Sequence, residues 1–167
     1  MPSGAPDPSP ADLAALQVVI DRSTRTAGPA AAESLAYPER QMSAAELVAF
    51  WRDHVRLVAM TTVGVDGAPH TAPVHARLDG PTLTVVVYDN TVRRRDVRTN
   101  SRVAFTTWTP GGAAVILYGE AHEVPGSLRD ARPGRSGKPR QVVELAVRLT
   151  RVYAMRAPEP LPRADVG

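Results

Sequence analysis

The densest run of residues able to do chemistry is Asp89-Asn90-Thr91-Val92-Arg93-Arg94-Arg95-Asp96-Val97-Arg98. It follows a valine-rich stretch that reads as a buried strand, and its composition suits a turn leading into a short helix. Three arginines would then crowd the first helical turn, where the positive end of the helix dipole disfavours each cation by about 0.3–1 kcal/mol. A bound anion reverses that sign. Thr91 can cap the helix or donate its hydroxyl, free N–H groups point out of the N-terminus, and an arginine fork supplies charge-assisted bonds. The run therefore reads either as a phosphate site or as a solvated basic face with Arg94 and Arg98 turned to water.

Other chemistries lack their residues. The 167-residue chain has no cysteine, which excludes disulfides, thiolate metal sites and a cysteine nucleophile. Its four histidines make no metal set. His70 and His75 lie at an odd separation on one predicted strand and so face opposite ways, while His54 and His122 stand alone. Structural or solvent roles are expected for them, with His75 the one placed near a site. The carboxylates Asp66, Asp79 and Asp89 fall in turns, where aspartate serves the backbone. No dinucleotide fingerprint, P-loop or nucleophile elbow is present. If the chain is an enzyme, a cofactor must supply the reactivity.

Charge points the same way without naming a partner. The net charge is +3, and Lys138 is the only lysine among 20 basic residues, the rest being arginine. Arginine's fork suits phosphate and carboxylate, although a GC-rich genome also enriches it. Nucleic-acid binding through Arg93 to Arg98 and Arg129 to Arg140 is not expected, because stacking aromatics make up only 5% of the chain. No apolar run approaches the ~20 residues of a membrane-spanning helix, and no signal segment is evident, so a cytoplasmic location is expected.

The elements that must position these residues are mostly strands. Residues 1–10 are proline-rich and expected to be disordered, and 157–167 read as a tail, leaving a single domain over 11–156. Helical spacing of Leu13, Leu16, Val19 and Ile20 predicts a helix over 11–24 that ends before Gly28-Pro29. The capping box Ser43-Ala44-Ala45-Glu46 predicts a second over 43–54. Strands follow at 55–63, 70–78, 83–88, 102–108, 114–124 and 141–155, with a flexible loop over 125–140. In the last strand the apolar phase switches after Leu149, which predicts a bulge near Thr150-Arg151. The expected class is mainly β with peripheral helices: a six-stranded antiparallel split β-barrel.

The order of these pieces resembles a known family. A strand, an Asp-Gly turn, a strand carrying Pro69-His70-Thr71-Ala72-Pro73-Val74, a second Asp-Gly turn and a further strand lead to Thr91-Val92-Arg93. Thr99-Asn100-Ser101-Arg102-Val103-Ala104-Phe105 follows. This succession, over about residues 42–124, is similar to the pyridoxamine 5′-phosphate oxidase-like flavoproteins. The segments Leu16-Gln17, Asp21-Arg22-Ser23 and Tyr37-Pro38-Glu39-Arg40 resemble an N-terminal extension of some actinobacterial members.

The resemblance implies a split-barrel homodimer holding FMN, or the deazaflavin coenzyme F-420, in a groove between subunits. It implies that Thr71, Ala72, Pro73, Val74 and His75 line the ring, with Val87 and Tyr88 beside it. Thr91 and Arg93 would clamp the phosphate. Val92 stands where the family has a second basic residue, leaving Arg94 or Arg95 to compensate. Trp108 would cover the ring, contact substrate or simply pack. The implied activity is hydride transfer between the cofactor and a small organic substrate, with no side-chain acid or base required. The alternative is a non-catalytic flavin- or haem-binding protein, with His75 as an axial ligand. The chain past Leu149 lacks the substrate-binding ending of the true oxidases, so vitamin synthesis is not implied.

Overall fold

The computed structural model describes residues 7–131 and 139–157. The expectations of disorder over 1–6 and a tail over 158–167, and the centre of the 125–140 loop, lie outside the described residues. Helix α1 (Pro10–Arg25) begins within the stretch expected to be disordered, because Ser9 and Asp12 form a reciprocal capping box and proline fits the first helical position. Its apolar stripe of Leu16, Val19 and Ile20 is buried as the spacing predicts. Ser23 fixes the docking: its hydroxyl donates to the Val19 carbonyl (2.6 Å) and accepts from the Val152 amide (2.9 Å). Two short elements not read from the sequence follow, α2 (Pro29–Ser34) and a 3₁₀ turn (Pro38–Arg40), and neither buries a residue. Helix α3 (Ala44–His54) starts from the predicted Ser43–Glu46 box and buries Leu47 and Trp51. Among the described residues no helix is long and apolar enough to cross a membrane.

The remaining elements are β1 (Val58–Val63), β2 (Pro69–Val74), β3 (Ala76–Asp79), β4 (Thr82–Tyr88), α4 (Val92–Thr99), β5 (Arg102–Trp108), β6 (Ala114–Glu123), β7 (Arg129–Asp130) and β8 (Gln141–Met155). The strands form one antiparallel sheet in the order β2-β1-β5-β6-β8-β4-β3, with β7 paired to β8. Its two edge strands, β2 and β3, are separated in the chain only by His75. One continuous stretch thus pairs first with β1 and then with β4, which bends the sheet into the split barrel. The six strands expected are present as six long segments. The count is eight because the 70–78 segment breaks at His75 and the two-residue β7 was not anticipated. The first strand starts at Val58 rather than 55, since α3 runs to His54.

Inward-facing Met60, Leu83, Val85, Phe105, Leu117 and Leu145 fill the interior. The two mouths of the barrel are closed by helices. At one, α1 lies on β8 and against the β3–β4 turn, so close that a Cβ at Gly80 would sit 2.6 Å from Cβ of Asp12. At the other, α4 inserts Val97.

The predicted bulge is in place. Tyr118 pairs with Arg151 and Gly119 with Leu149, which leaves Thr150 as the extra residue. Its hydroxyl donates to the Tyr118 carbonyl at 3.2 Å. The bulge turns Val152 and Ala154 onto the buried side after the residue that reverses the phase. Gly119 is required beside it, because a Cβ there would lie 2.6 Å from Val147 Cγ1 and 2.7 Å from the Arg148 carbonyl oxygen. Gly119→Ala should therefore cost about 1–3 kcal/mol through overpacking. Urea unfolding should show a lower midpoint at unchanged slope; an unchanged midpoint would mean that β8 yields without penalty.

Candidate functional site

Helix α4 follows β4 after a tight turn. Thr91 caps it, accepting from the Arg94 amide (3.5 Å) while its own hydroxyl proton goes to the Tyr88 carbonyl (2.9 Å). The hydroxyl is thus held by backbone on both sides and shapes the turn. Among the described residues the first-turn amides of Val92 and Arg93 have no partner. Arg93 carries a buried Nε with none either.

Arg94 follows neither sequence reading. Its Nη2 and Nε grip Glu123 on β6 at 2.6 and 3.0 Å, Nη1 donates to the Asp89 carbonyl (3.2 Å), and only 14% of the side chain is exposed. Arg98 reaches the same carboxylate at 3.0 Å while 56% of its side chain stays exposed to water. Hydrogen bonding from Arg94 holds the Glu123 carboxyl below its ordinary range, against the opposing effect of desolvation. The sequence offered no local signal for Glu123, which lies 29 residues from Arg94 and meets it only through the fold.

A second unanticipated cluster joins α4 to the first hairpin. Asp96 is buried, and its Oδ2 accepts from Thr62 Oγ1 (2.6 Å) and contacts His70 Nδ1 (2.7 Å). Burial pushes this carboxyl up, but the hydrogen bonds from Thr62 and His70 together outweigh it and leave the carboxyl below its ordinary value. The signal available was position: Asp96 and Val97 interrupt a run of arginines and are the two residues α4 buries.

Two cavities lie on the barrel's outside. The smaller, about 340 Å³, is bounded by Ala59 on β1, Thr71, Ala72 and Pro73 on β2, and Thr106 and Trp108 on β5. Trp108 stands 69% exposed beside it. The larger, about 880 Å³, lies between α3 and the outward residues of β3 and β4, with Trp51, Val55, His75, Arg77, Thr84 and Val86 in its walls. Trp51 is anchored by its indole N–H on the Ala76 carbonyl at 3.0 Å. His75 Nδ1 lies 2.8 Å from the Arg56 carbonyl, so it carries the proton and leaves Nε2 free. Arg77 is paired with Asp79 (2.6 Å) and Arg52 with Asp7 (3.2 Å).

The residues singled out from the sequence therefore divide. Thr71, Ala72, Pro73 and Trp108 come together at the smaller cavity, and His75 lines the larger. Val74 and Val87 are buried in the barrel, so either can meet a ligand only through its backbone. Tyr88 faces outward, 40% exposed, with the Arg140 guanidinium 4.9 Å above its ring. Thr84, Val86 and Tyr88 share one face of β4, two residues being about 7 Å apart along a strand. The Thr91 amide returns to the Tyr88 carbonyl at 3.2 Å. The outward row Thr84, Val86 and Tyr88 thus leads from the larger cavity, past His75, toward the turn that opens α4. Sequence reading missed Trp51, Arg56 and Arg77, because α3 meets β3 only when the barrel closes.

The profile of the pyridoxamine 5′-phosphate oxidase family matches residues 43–154. The chain belongs to this family. The matched span runs from the cap of α3 nearly to the end of β8 and contains α4, the lining of the smaller cavity and that of the larger one apart from Asp7 and Pro8. None of the curated proteins compared matches. Solved structures share the fold at low identity. A conserved hypothetical protein from Mycobacterium tuberculosis is 18% identical over 78% of this chain and 96% of its own, with a TM-score of 0.59. An FAD-binding protein from Mesorhizobium loti is 17% identical over 72% and 97%, with a TM-score of 0.52. The haem storage protein from Vibrio cholerae is 9% identical over 65% and 92%, with a TM-score of 0.51.

The Asp96 cluster sets a pH dependence in this family member. A carboxyl held below its unfolded value contributes stability above that value and loses it as pH falls through the folded one. Asp96→Asn should cost about 1–3 kcal/mol at neutral pH. The gap to wild type should close only as the pH drops below the ordinary value of an aspartate, through the lowered folded one. Denaturant midpoints measured across that range test this, and a gap independent of pH would contradict it.

Proposed function

We propose that this chain binds a flavin-type cofactor, FMN or the deazaflavin coenzyme F-420, and uses it to move hydride to or from a small organic substrate. Family membership supports the class. The observation that carries the reading is the buried Arg93 Nε at the open end of α4, without a partner among the described residues, together with a cavity of about 880 Å³ on the outward row of β4 that leads to the α4 turn. That volume suits a tricyclic ring. The residues present fit such a group. Arg93 and the amides of Val92 and Arg93 would take the phosphate; Arg94 is already held by Glu123 and Val92 carries no charge, which leaves Arg95 as the other cation of the turn. The break at His75 leaves strand backbone outside both ladders, where ring heteroatoms find donors and acceptors. Trp51, Val55 and Val86 exclude water from the ring's surroundings. When bound, the cofactor supplies the two-electron chemistry, which is why no side-chain acid or base is needed.

The same reading includes a homodimer. Thr61, Thr71, Pro73 and Thr106, outward on β1, β2 and β5, carry no charge, and Trp108 stands exposed beside them. A second copy would cover the smaller cavity.

A second reading is favoured by one contact. A histidine that donates Nδ1–H to a backbone carbonyl while Nε2 stays free has the arrangement of a metal-ligating imidazole, and His75 does this with Arg56. A haem storage protein has the same fold. Haem bound without turnover is therefore the alternative.

Titration with FMN and F-420, followed by flavin fluorescence, separates these readings. The expected outcome is micromolar or tighter binding of at least one. Arg93→Ala should weaken it about tenfold or more, the scale of a lost charge-assisted bond. Failure of both cofactors to bind, with a sharp absorption band on adding haem that His75→Ala abolishes, would replace the first reading by the second. In light scattering, Trp108→Glu should shift the dimer toward monomer; a monomeric wild type would remove the dimer proposal.

A further inference from the structure

The two groups that the cofactor reading needs, the broken strand and the open end of α4, lie on different elements. One side-chain contact ties the strand that leads into the break to α4. His70 belongs to β2, five residues before the break at His75, and its Nδ1 lies 2.7 Å from Asp96 Oδ2 on α4, three residues after Arg93. Thr62 on β1 holds the same oxygen at 2.6 Å. Asp96 is nearly sealed, with 8% of its side chain exposed, whereas 42% of the His70 side chain reaches solvent. Protons can therefore reach the imidazole without opening the helix. A Cβ on Gly64 would approach both Asp66 Oδ1 (2.8 Å) and His70 Cε1 (2.9 Å), so the Asp66 carboxylate in the β1–β2 turn is a second acidic neighbour of the ring. From α4 itself, Arg95 is the charged neighbour acting on Asp96. Glu123 of β6 faces Arg94 and Arg98 instead.

We propose that His70 and Asp96 form a proton-linked latch that positions the phosphate-binding end of α4 against β2. The inference rests on the cofactor reading above. With neutral imidazole the latch is one hydrogen bond. With imidazolium it is an ion pair facing a sealed carboxylate, and α4 is held more firmly. A group that gains a partner in its charged form strengthens the assembly below its titration and releases it as pH rises. Cofactor affinity should therefore carry a component that falls with rising pH. His70 and Asp96 are positioning residues in this scheme, since neither touches the cofactor.

The experiment compares FMN dissociation constants for wild type, His70→Gln and Asp96→Asn between about pH 5.5 and pH 8, where an imidazole titrates. Ionisation of the FMN phosphate affects all three equally, so the ratio of variant to wild-type constants isolates the latch. That ratio should be larger at the acidic end by about threefold, the scale of a partly exposed ion pair. Riboflavin, which lacks the phosphate, should show no such change. Because position 70 is partly open to solvent, His70→Gln buries no new polar group and keeps the test informative if Asp96→Asn is too unstable. A ratio constant with pH, or an equal effect on riboflavin, overturns the latch and leaves the cofactor reading standing. Absence of FMN binding by wild type at every pH overturns both.

Discussion

Barrel closure through a single broken strand is the constraint from which the site follows. A sheet of this size must either expose two edges or join them. Here the chain joins them by letting Pro69–Val74 pair with β1 and Ala76–Asp79 pair with β4. The residue between, His75, belongs to neither ladder. Closure also sets α3 against β3, where Trp51 bonds the Ala76 carbonyl just past the break. The larger cavity is the space left between that helix and the outward face of β3 and β4.

The arginine excess resolves into separate uses once partners are known. Arg94 and Arg98 converge on Glu123, Arg148 meets Glu120, Arg156 meets Glu46, and Arg52 and Arg77 have aspartates. Most of these pairs are exposed and contribute little to stability individually. Arg94 differs because it is largely enclosed and gripped at both carboxylate oxygens, so it braces α4 on β6. Arg93, one position earlier, has the reverse character: a buried donor without an acceptor. Such a group is costly unless something outside the chain satisfies it. Two adjacent arginines of one helix turn thus differ: Arg94 binds the helix to the barrel, while Arg93 Nε, like Arg40 Nε, has no partner among the described residues.

Much of the fold was legible because its signals are local. The Ser43–Glu46 box, the Gly28-Pro29 stop, the Asp-Gly turns and the phase switch at Leu149 each act within a few residues, and each has its counterpart in the structure. Even the cap at Thr91 could be read this way. The Ser9–Asp12 box is equally local, but the surrounding prolines masked it. What could not be read were pairings across long separations. Asp96 with Thr62 and His70 spans 34 and 26 residues, and Glu123 with Arg94 spans 29. Composition made α4 look like a uniformly basic helix, yet one buried carboxylate decides which way it faces.

The division of the sequence-nominated residues between two cavities has the same origin. Side chains alternate along β2, so a run such as 71–75 cannot present five side chains to one ligand. Val74 points into the barrel while Thr71 and Pro73 point out, and His75 escapes the alternation only because the strand breaks there. A planar ligand lying along such a strand must therefore be held mainly by backbone, with side-chain selectivity coming from elements that reach over it. In this chain those elements are α3, through Trp51 and Val55, and the outward row Thr84, Val86 and Tyr88 of β4. On the proposed reading, selectivity for one ring over another would rest on residues outside the strand whose sequence order marks the family.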